Sequence, residues 1–196
     1  MGKIQYGICN IHVAFMGDPG EDGAPTWETP RAVRGATKLT LDENGSSNPF
    51  YADNGIYAEM GSASGLSGSL ELALFPLDFV AEAMGYRIDS NGGLVEVSGG
   101  VKKPFALGFQ FETDDEGRRN WLYNVTLSRP SDEHNTTEGN ITPDVQSADF
   151  TASPIELDGE NVYKYTLPMS DKAKTVYNSF FASVVKPAAK AVEQGA

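Results

Sequence analysis

The chain reads as a mainly β protein, an antiparallel sandwich or barrel with one short internal helix and one C-terminal helix. Three observations predict this. Two strand-length runs, KPFALGFQFET and NWLYNVTLSRPS, alternate with a period of two about the charged turn Asp114-Asp115-Glu116-Gly117-Arg118-Arg119. Glycine is enriched, at 21 of 196 residues, and clusters between the apolar runs, as strands joined by turns require. Helical periodicity is confined to two places, after Pro76 and after Ser170.

In the central hairpin, Phe105, Leu107, Phe109 and Phe111 share one face of the first strand. Trp121, Tyr123, Val125 and Leu127 share one face of the second. Each strand is therefore expected to bury one face. Ile4 to Phe15 forms an earlier strand whose phase changes at Cys9-Asn10, which predicts a bulge. Residues 17–30 form an acidic, aperiodic loop, Ala36 to Leu41 a strand, and Asp42 to Asn48 a loop. Asn54-Gly55 marks a hairpin turn within Phe50 to Met60.

Gly68 to Phe75 alternates with Leu70, Leu72 and Leu74 inward. Pro76 then opens a helix with Leu77, Val80, Ala81 and Met84 as its stripe and Gly85 as its stop. Asn91-Gly92-Gly93 centres a second hairpin, Asp132 to Pro143 is polar loop, and Asp144 to Pro154 is a strand. Val162 to Leu167 follows the Asp158-Gly159 turn as another strand. Ser170 caps a terminal helix whose buried face is Ala173, Val176, Tyr177, Phe180 and Val184, ended by Pro187. The whole is expected to be one domain over residues 1–196, with long loops at 17–30 and 42–67.

Composition excludes several function classes. A net charge of −12 lacks the basic patch that phosphate neutralisation needs. One cysteine, Cys9, permits no internal disulfide, and no apolar run reaches membrane-span length. No signal-peptide core follows the N-terminus, which points to an intracellular assembly compartment.

Catalytic and metal signals are weak. His12 and His134 are the only histidines, and no HxH, HxxxH or CxxC spacing is present. A Cys9–His12 pair would need the kink to bring both onto one face, and a buried structural thiol is the expected alternative. No catalytic residue, cofactor site or metal site is assigned. The Arg118-Arg119 pair stands apart, because arginine's planar fork suits carboxylate pairing, either within the turn or across a subunit contact.

Several ordered segments together resemble the major tail proteins of long, non-contractile-tailed phages of Gram-positive bacteria. They are Glu28-Thr29-Pro30 with Val33-Arg34-Gly35-Ala36, Asn48 to Asn54, Gly68 to Leu74 with Pro76 to Phe79, Lys103 to Leu107, and Gly117 through Ser131. They run from about Glu28 to Pro154, and the match fades after Ile155. The resemblance implies a non-enzymatic virion protein of the tail-tube fold, made in the host cytoplasm. Its subunits would form hexameric rings stacked into a hollow tube. The tape measure and tail terminator would be partners, and DNA would pass without specific binding. It makes the 17–30 and 42–67 loops and Arg118-Arg119 the expected subunit contacts. A competing reading is a soluble β-sandwich that binds a sugar or protein on Trp27, Trp121 and Tyr123, although Trp121 and Tyr123 lie in phase with Val125 and Leu127, which favours core for both.

Overall fold

Alternating β-branched and aromatic residues favour extended chain, and a strand with an apolar side must find a sheet partner. The computed structural model describes residues 7–21, 23–52, 55–112, 117–131 and 144–188. Among them the strands are β1 (Ile8–Phe15), β2 (Arg31–Ala32), β3 (Ala36–Leu39), β4 (Asp42–Ala52), β5 (Gly55–Leu72), β6 (Arg87–Ile88), β7 (Leu94–Val95), β8 (Phe105–Phe111), β9 (Arg119–Leu127), β10 (Gln146–Ala152), β11 (Ile155–Leu157), β12 (Glu160–Val162) and β13 (Lys164–Leu167). The helices are α1 (Leu77–Met84) and α2 (Lys174–Asn178). Every strand pairing is antiparallel. Among the described residues, no helix is long and apolar enough to cross a membrane.

The main sheet runs β2-β1-β8-β9-β10-β5-β3, with β4 also on β5 and β13 also on β9. Its end strands β2 and β3 are separated in sequence only by residues 33–35. That connection reaches ~14 Å at full extension. A flat sheet of this order would hold its edges ~29 Å apart at the usual strand spacing. The sheet must therefore curl, and β1 and β3 do lie close together. The barrel interior is filled by residues such as Ile11, Val13, Leu70, Leu72, Leu107 and Phe150.

Helix α1 packs on this core through Phe79, whose ring lies 5.2 Å from Phe105 and 5.9 Å from Phe15. Gly85 ends the helix in a left-handed conformation, φ 68°, as the sequence predicts. The expected stripe is only partly right. Val80, Ala81 and Met84 are buried, but Leu77 is exposed and Phe79 takes the inner position. Leu74 is also exposed, because β5 ends at Leu72 and the chain bends before a third inward leucine is reached. Glu82 fixes the helix laterally, accepting from Arg31 at 2.6 Å and Lys103 at 2.8 Å above the Phe15 ring.

The β8–β9 hairpin forms as predicted, yet both its faces are buried rather than one. The register steps two residues on β8, from Phe105 to Leu107, against three on β9, from Val125 to Leu122. This bulge at Tyr123-Asn124 splits the expected face. Val125 and Leu127 join Leu122 inside the barrel, while Trp121 and Tyr123 point outward into a second apolar cluster. The expected bulge in β1 is also present, with Asn10 at φ 53° and a register shift between Cys9 and His12.

Two expected loops are ordered by backbone pairing. Residues 42–52 and 55–67 belong to β4 and β5, which pair from Asp42↔Ser67 out to Ala52↔Gly55. Gly55 of the Asn54-Gly55 signal opens β5, and residues 53–54 lie outside the described residues. Within 17–30, the Gly17 amide donates to Thr26, that of Glu28 to Phe15, and Met16 bridges Trp27, so the loop is tied to its own chain.

The Asn91-Gly92-Gly93 hairpin appears where expected. The Asp158-Gly159 turn is present but joins the small β11–β12 hairpin, and the strand expected from Val162 is β13, Lys164–Leu167. Residues 4–6, the turn residues Asp114 to Glu116 and the 132–143 loop, including His134, lie outside the described residues.

Gly68 has no room for a side chain, since a Cβ there would sit 2.0 Å from the Thr40 carbonyl oxygen and 2.8 Å from the Phe150 ring. Gly68→Ala should cost about 1–3 kcal/mol as backbone or ring is displaced. Denaturant unfolding that shows no loss would contradict this packing.

Candidate interaction surface

No enzyme-like constellation emerges around the sequence candidates. Cys9 is half-buried, and burial, followed by the Glu112 carboxylate, pushes its thiol pKa up and disfavours the nucleophilic thiolate. His12 donates through Nδ1 to its own strand's Asn10 carbonyl at 2.9 Å and stacks on Phe181 at 4.6 Å. Among the described residues, no group of three or more His, Cys, Asp or Glu side chains is placed to hold a metal.

Trp121 and Tyr123 are fully buried, so they present no ligand platform. Trp27 is partly buried against them and donates to the Tyr123 carbonyl at 3.1 Å. Their cover is the C-terminal segment. The Trp121 indole donates to the Phe180 carbonyl at 3.2 Å, and the Tyr123 hydroxyl to Val185 at 2.7 Å.

The terminal helix is shorter than predicted. Ser170 is not the cap the sequence predicts: its hydroxyl accepts from the Ala173 amide at 3.2 Å, but this closes a turn, and α2 runs only from Lys174 to Asn178 with Ala173 as N-cap and no side-chain cap. The Ser179 hydroxyl donates back to the Thr175 carbonyl, which favours ending the turn. The non-helical turns that follow let both Phe180 and Phe181 reach Trp121, at 6.1 and 5.9 Å. Within α2 itself only Tyr177 is buried, and Val176, expected on the same face, is exposed.

Arg119 is used inside the chain. Its guanidinium lies 4.0 Å from the centre of the Tyr177 ring, donates to the Gln110 amide oxygen at 3.2 Å, and donates to the Tyr177 carbonyl. The Tyr177 hydroxyl returns a bond to the Gly117 carbonyl at 2.6 Å. Arg119 thus clasps the C-terminal segment to the hairpin, and Arg118 beside it is half-buried. Arg118 lies near enough to Lys164 to help lower that lysine's pKa, behind the larger effect of burial.

Two parts of the surface remain without such cover. Lys38, Thr40, Ser67, Ser69, Asp149 and Thr151 make a polar outer face on β3, β5 and β10. There Thr40 and Ser69 share a 2.9 Å hydroxyl bond and Lys38 pairs Glu71 at 3.1 Å. Beyond this face the β4–β5 hairpin leaves the barrel. From Gly45↔Ala63 to Ala52↔Gly55 it is a two-stranded arm, with no third strand beside it among the described residues. Sequence reasoning found its turn but missed its strands, because Gly, Ser and Asn give no alternating signal.

No model of a known protein family matches the chain, and no curated protein is similar to it in sequence. Among solved structures it is similar to a chain in the cryo-EM structure of the anti-feeding prophage baseplate, with 9% identity and a TM-score of 0.41 over 85% of this chain and 96% of that one. It is also similar to a chain of the anti-feeding prophage tube-terminating cap, with 16% identity and a TM-score of 0.41 over 86% and 96%. Such scores mark a partial likeness of fold and assign no function.

Arg119→Lys keeps the charge but loses the fork and the ring stacking. It should loosen the C-terminal segment nearly as much as Arg119→Ala, by about 1–3 kcal/mol. Limited proteolysis near residue 180 reads this, and wild-type protection in the lysine variant would refute the clasp.

Burial, and secondarily Tyr165, raises the Tyr123 pKa well above its ordinary value. The unfolded chain then loses that proton near pH ~10 while the folded chain keeps it, so stability must fall as pH rises past ~10, by up to ~1.4 kcal/mol per unit. Urea midpoints from pH 8 to 11.5 should fall less steeply for Tyr123→Phe than for wild type.

Proposed function

We propose that this chain is a structural subunit of a phage tail tube, acting by self-assembly rather than by catalysis. The observation that carries the reading is the β4–β5 arm, eight register pairs long from Gly45↔Ala63 to Ala52↔Gly55. A two-stranded ribbon alone is marginal in water, and its outer edges keep unpaired amide and carbonyl groups. Such an arm gains its stability by lying against another copy of the chain. The ordered sequence resemblance to tail-tube proteins supports the same conclusion and supplies its form: hexameric rings stacked into a conduit, in a virion with tape-measure and terminator partners.

The bare polar face of β3, β5 and β10 is the proposed lumen wall. It carries hydroxyls and the carboxylates of Glu71 and Asp149, with Lys38 already paired, so a passing polyanion finds little to hold it. Arg118 is proposed as an additional subunit contact, with Arg119 as its internal support.

The test is assembly of a chain in which residues 46–62 are replaced by an Asn-Gly turn. Its melting temperature should stay near that of wild type, because the barrel core is untouched, while rings and tubes disappear from negative-stain images. Arg118→Ala should reduce tubes and leave the fold intact. Tubes from the shortened chain, or a wild-type chain that stays monomeric at high concentration, would overturn the reading.

A further inference from the structure

Strand β5 carries a polarity that bears on how one copy meets the next. Its first half belongs to the arm, and its second half, Leu66–Leu72, is barrel wall paired to β10. At ~3.4 Å per residue, its 18 residues separate the arm tip from the far pole by ~60 Å. At that far pole the chain leaves the sheet with Leu74 67% exposed and Leu77 53% exposed. The two leucines flank a groove of about 200 Å³ whose walls include Val80, Leu94 and Pro130. The bidentate Arg129–Glu96 pair, at 2.9 and 3.0 Å, forms part of its rim.

The neighbouring β6 hairpin and the approach to β8 add Ile88 and Val101, the latter 84% exposed. Exposed apolar side chains gathered at one pole mark an interaction site.

Charge indicates the occupant. Arg87 and Lys102, both exposed, stand beside Ile88 and Val101 and have no ion-pair partner among the described residues. In a chain of net charge −12 such cations are scarce. The arm, residues 45–63, contains Asp53 and Glu59 and neither lysine nor arginine. It also contains Phe50, Tyr51, Ile56, Tyr57 and Met60, a composition suited to an apolar groove with a basic border.

We propose that the pole bearing Leu74, Leu77, Arg87 and Lys102 is the seat of the β4–β5 arm of a second copy. Arm and seat lie at opposite ends of one strand, so the contact is head-to-tail: each copy offers an arm at one end and a seat at the other. Such heterologous contacts do not close on themselves when copies are offset along the strand axis, and they propagate as an open stack. The inference rests on the self-assembly reading and names the surface that the arm occupies.

The experiment is engineered cross-linking in a Cys9→Ser background carrying Ala52→Cys near the arm tip and Leu77→Cys at the seat. The two positions are too far apart to join within one chain. Mild oxidation of assembled protein should give a ladder of multimers, whereas either cysteine alone gives dimers at most.

A companion variant, Leu74→Glu with Leu77→Glu, alters only exposed side chains. It should melt like wild type and need about tenfold more protein to polymerise. Arg87→Glu with Lys102→Glu should shift assembly in the same direction and weaken its salt dependence. If wild type polymerises but the ladder is absent and the glutamate variant assembles normally, the seat is elsewhere and self-assembly stands. If wild type forms no polymer at all, the assembly reading itself falls.

Discussion

The extra residue that β9 carries at Tyr123-Asn124 sends Leu122, Val125 and Leu127 into the barrel and Trp121 and Tyr123 out of it, and most of the outer architecture follows. Two large aromatic rings turned outward cannot remain in water without a large loss of apolar burial, so the chain must supply a cover. It does so with Phe180, Phe181 and Val184 from the C-terminal segment and with Trp27 from the 17–30 loop. The bulge also changes β9's neighbours. Asn124 accepts from the Ser153 amide after β10, while Tyr123 donates to Tyr163 just before β13. One inserted residue thus determines which side chains face inward and which strands can pair.

The cover is held by a different kind of bond from the barrel. Strand ladders satisfy the barrel's backbone, whereas Trp121, Tyr123 and Arg119 reach from rigid strands to donate to carbonyls of a chain that has left regular structure. This arrangement satisfies buried polar groups at both ends, since the indole and hydroxyl need acceptors once removed from water. It also engages one member of the Arg118-Arg119 turn within the chain, since Arg119 stacks on Tyr177.

Against this closed interior the arm is an exception. Everything on β5 from Leu66 to Leu72 has sheet neighbours on both sides, while from Gly55 to Ala63 it has β4 alone. Natural proteins usually shorten or cover such edges because they invite pairing with other chains. A long ribbon left bare is best understood as a surface kept for a partner, and the net charge of −12 then limits indiscriminate association until the right surfaces meet.

By itself the sequence determined the fold class, the central hairpin, the β1 bulge, helix α1 with its Gly85 stop, and the Asn-Gly and Asp-Gly turns. These depend on interactions a few residues apart, which periodicity and turn chemistry report directly. The tertiary structure decided what local pattern cannot encode. Leu74 falls in phase with buried residues yet is exposed, because the strand it was assigned to ends at Leu72. The β9 bulge has no marker in NWLYNVTLS, since the need for it arises from the register with β8. The long β4–β5 strands are hidden by a composition poor in alternating apolar residues and become visible only through their backbone pairing. The candidate surface shows the same division: Arg118 and Arg119 were legible as unusual, but only the fold shows Arg119 stacked on Tyr177, because stacking geometry is a property of three dimensions.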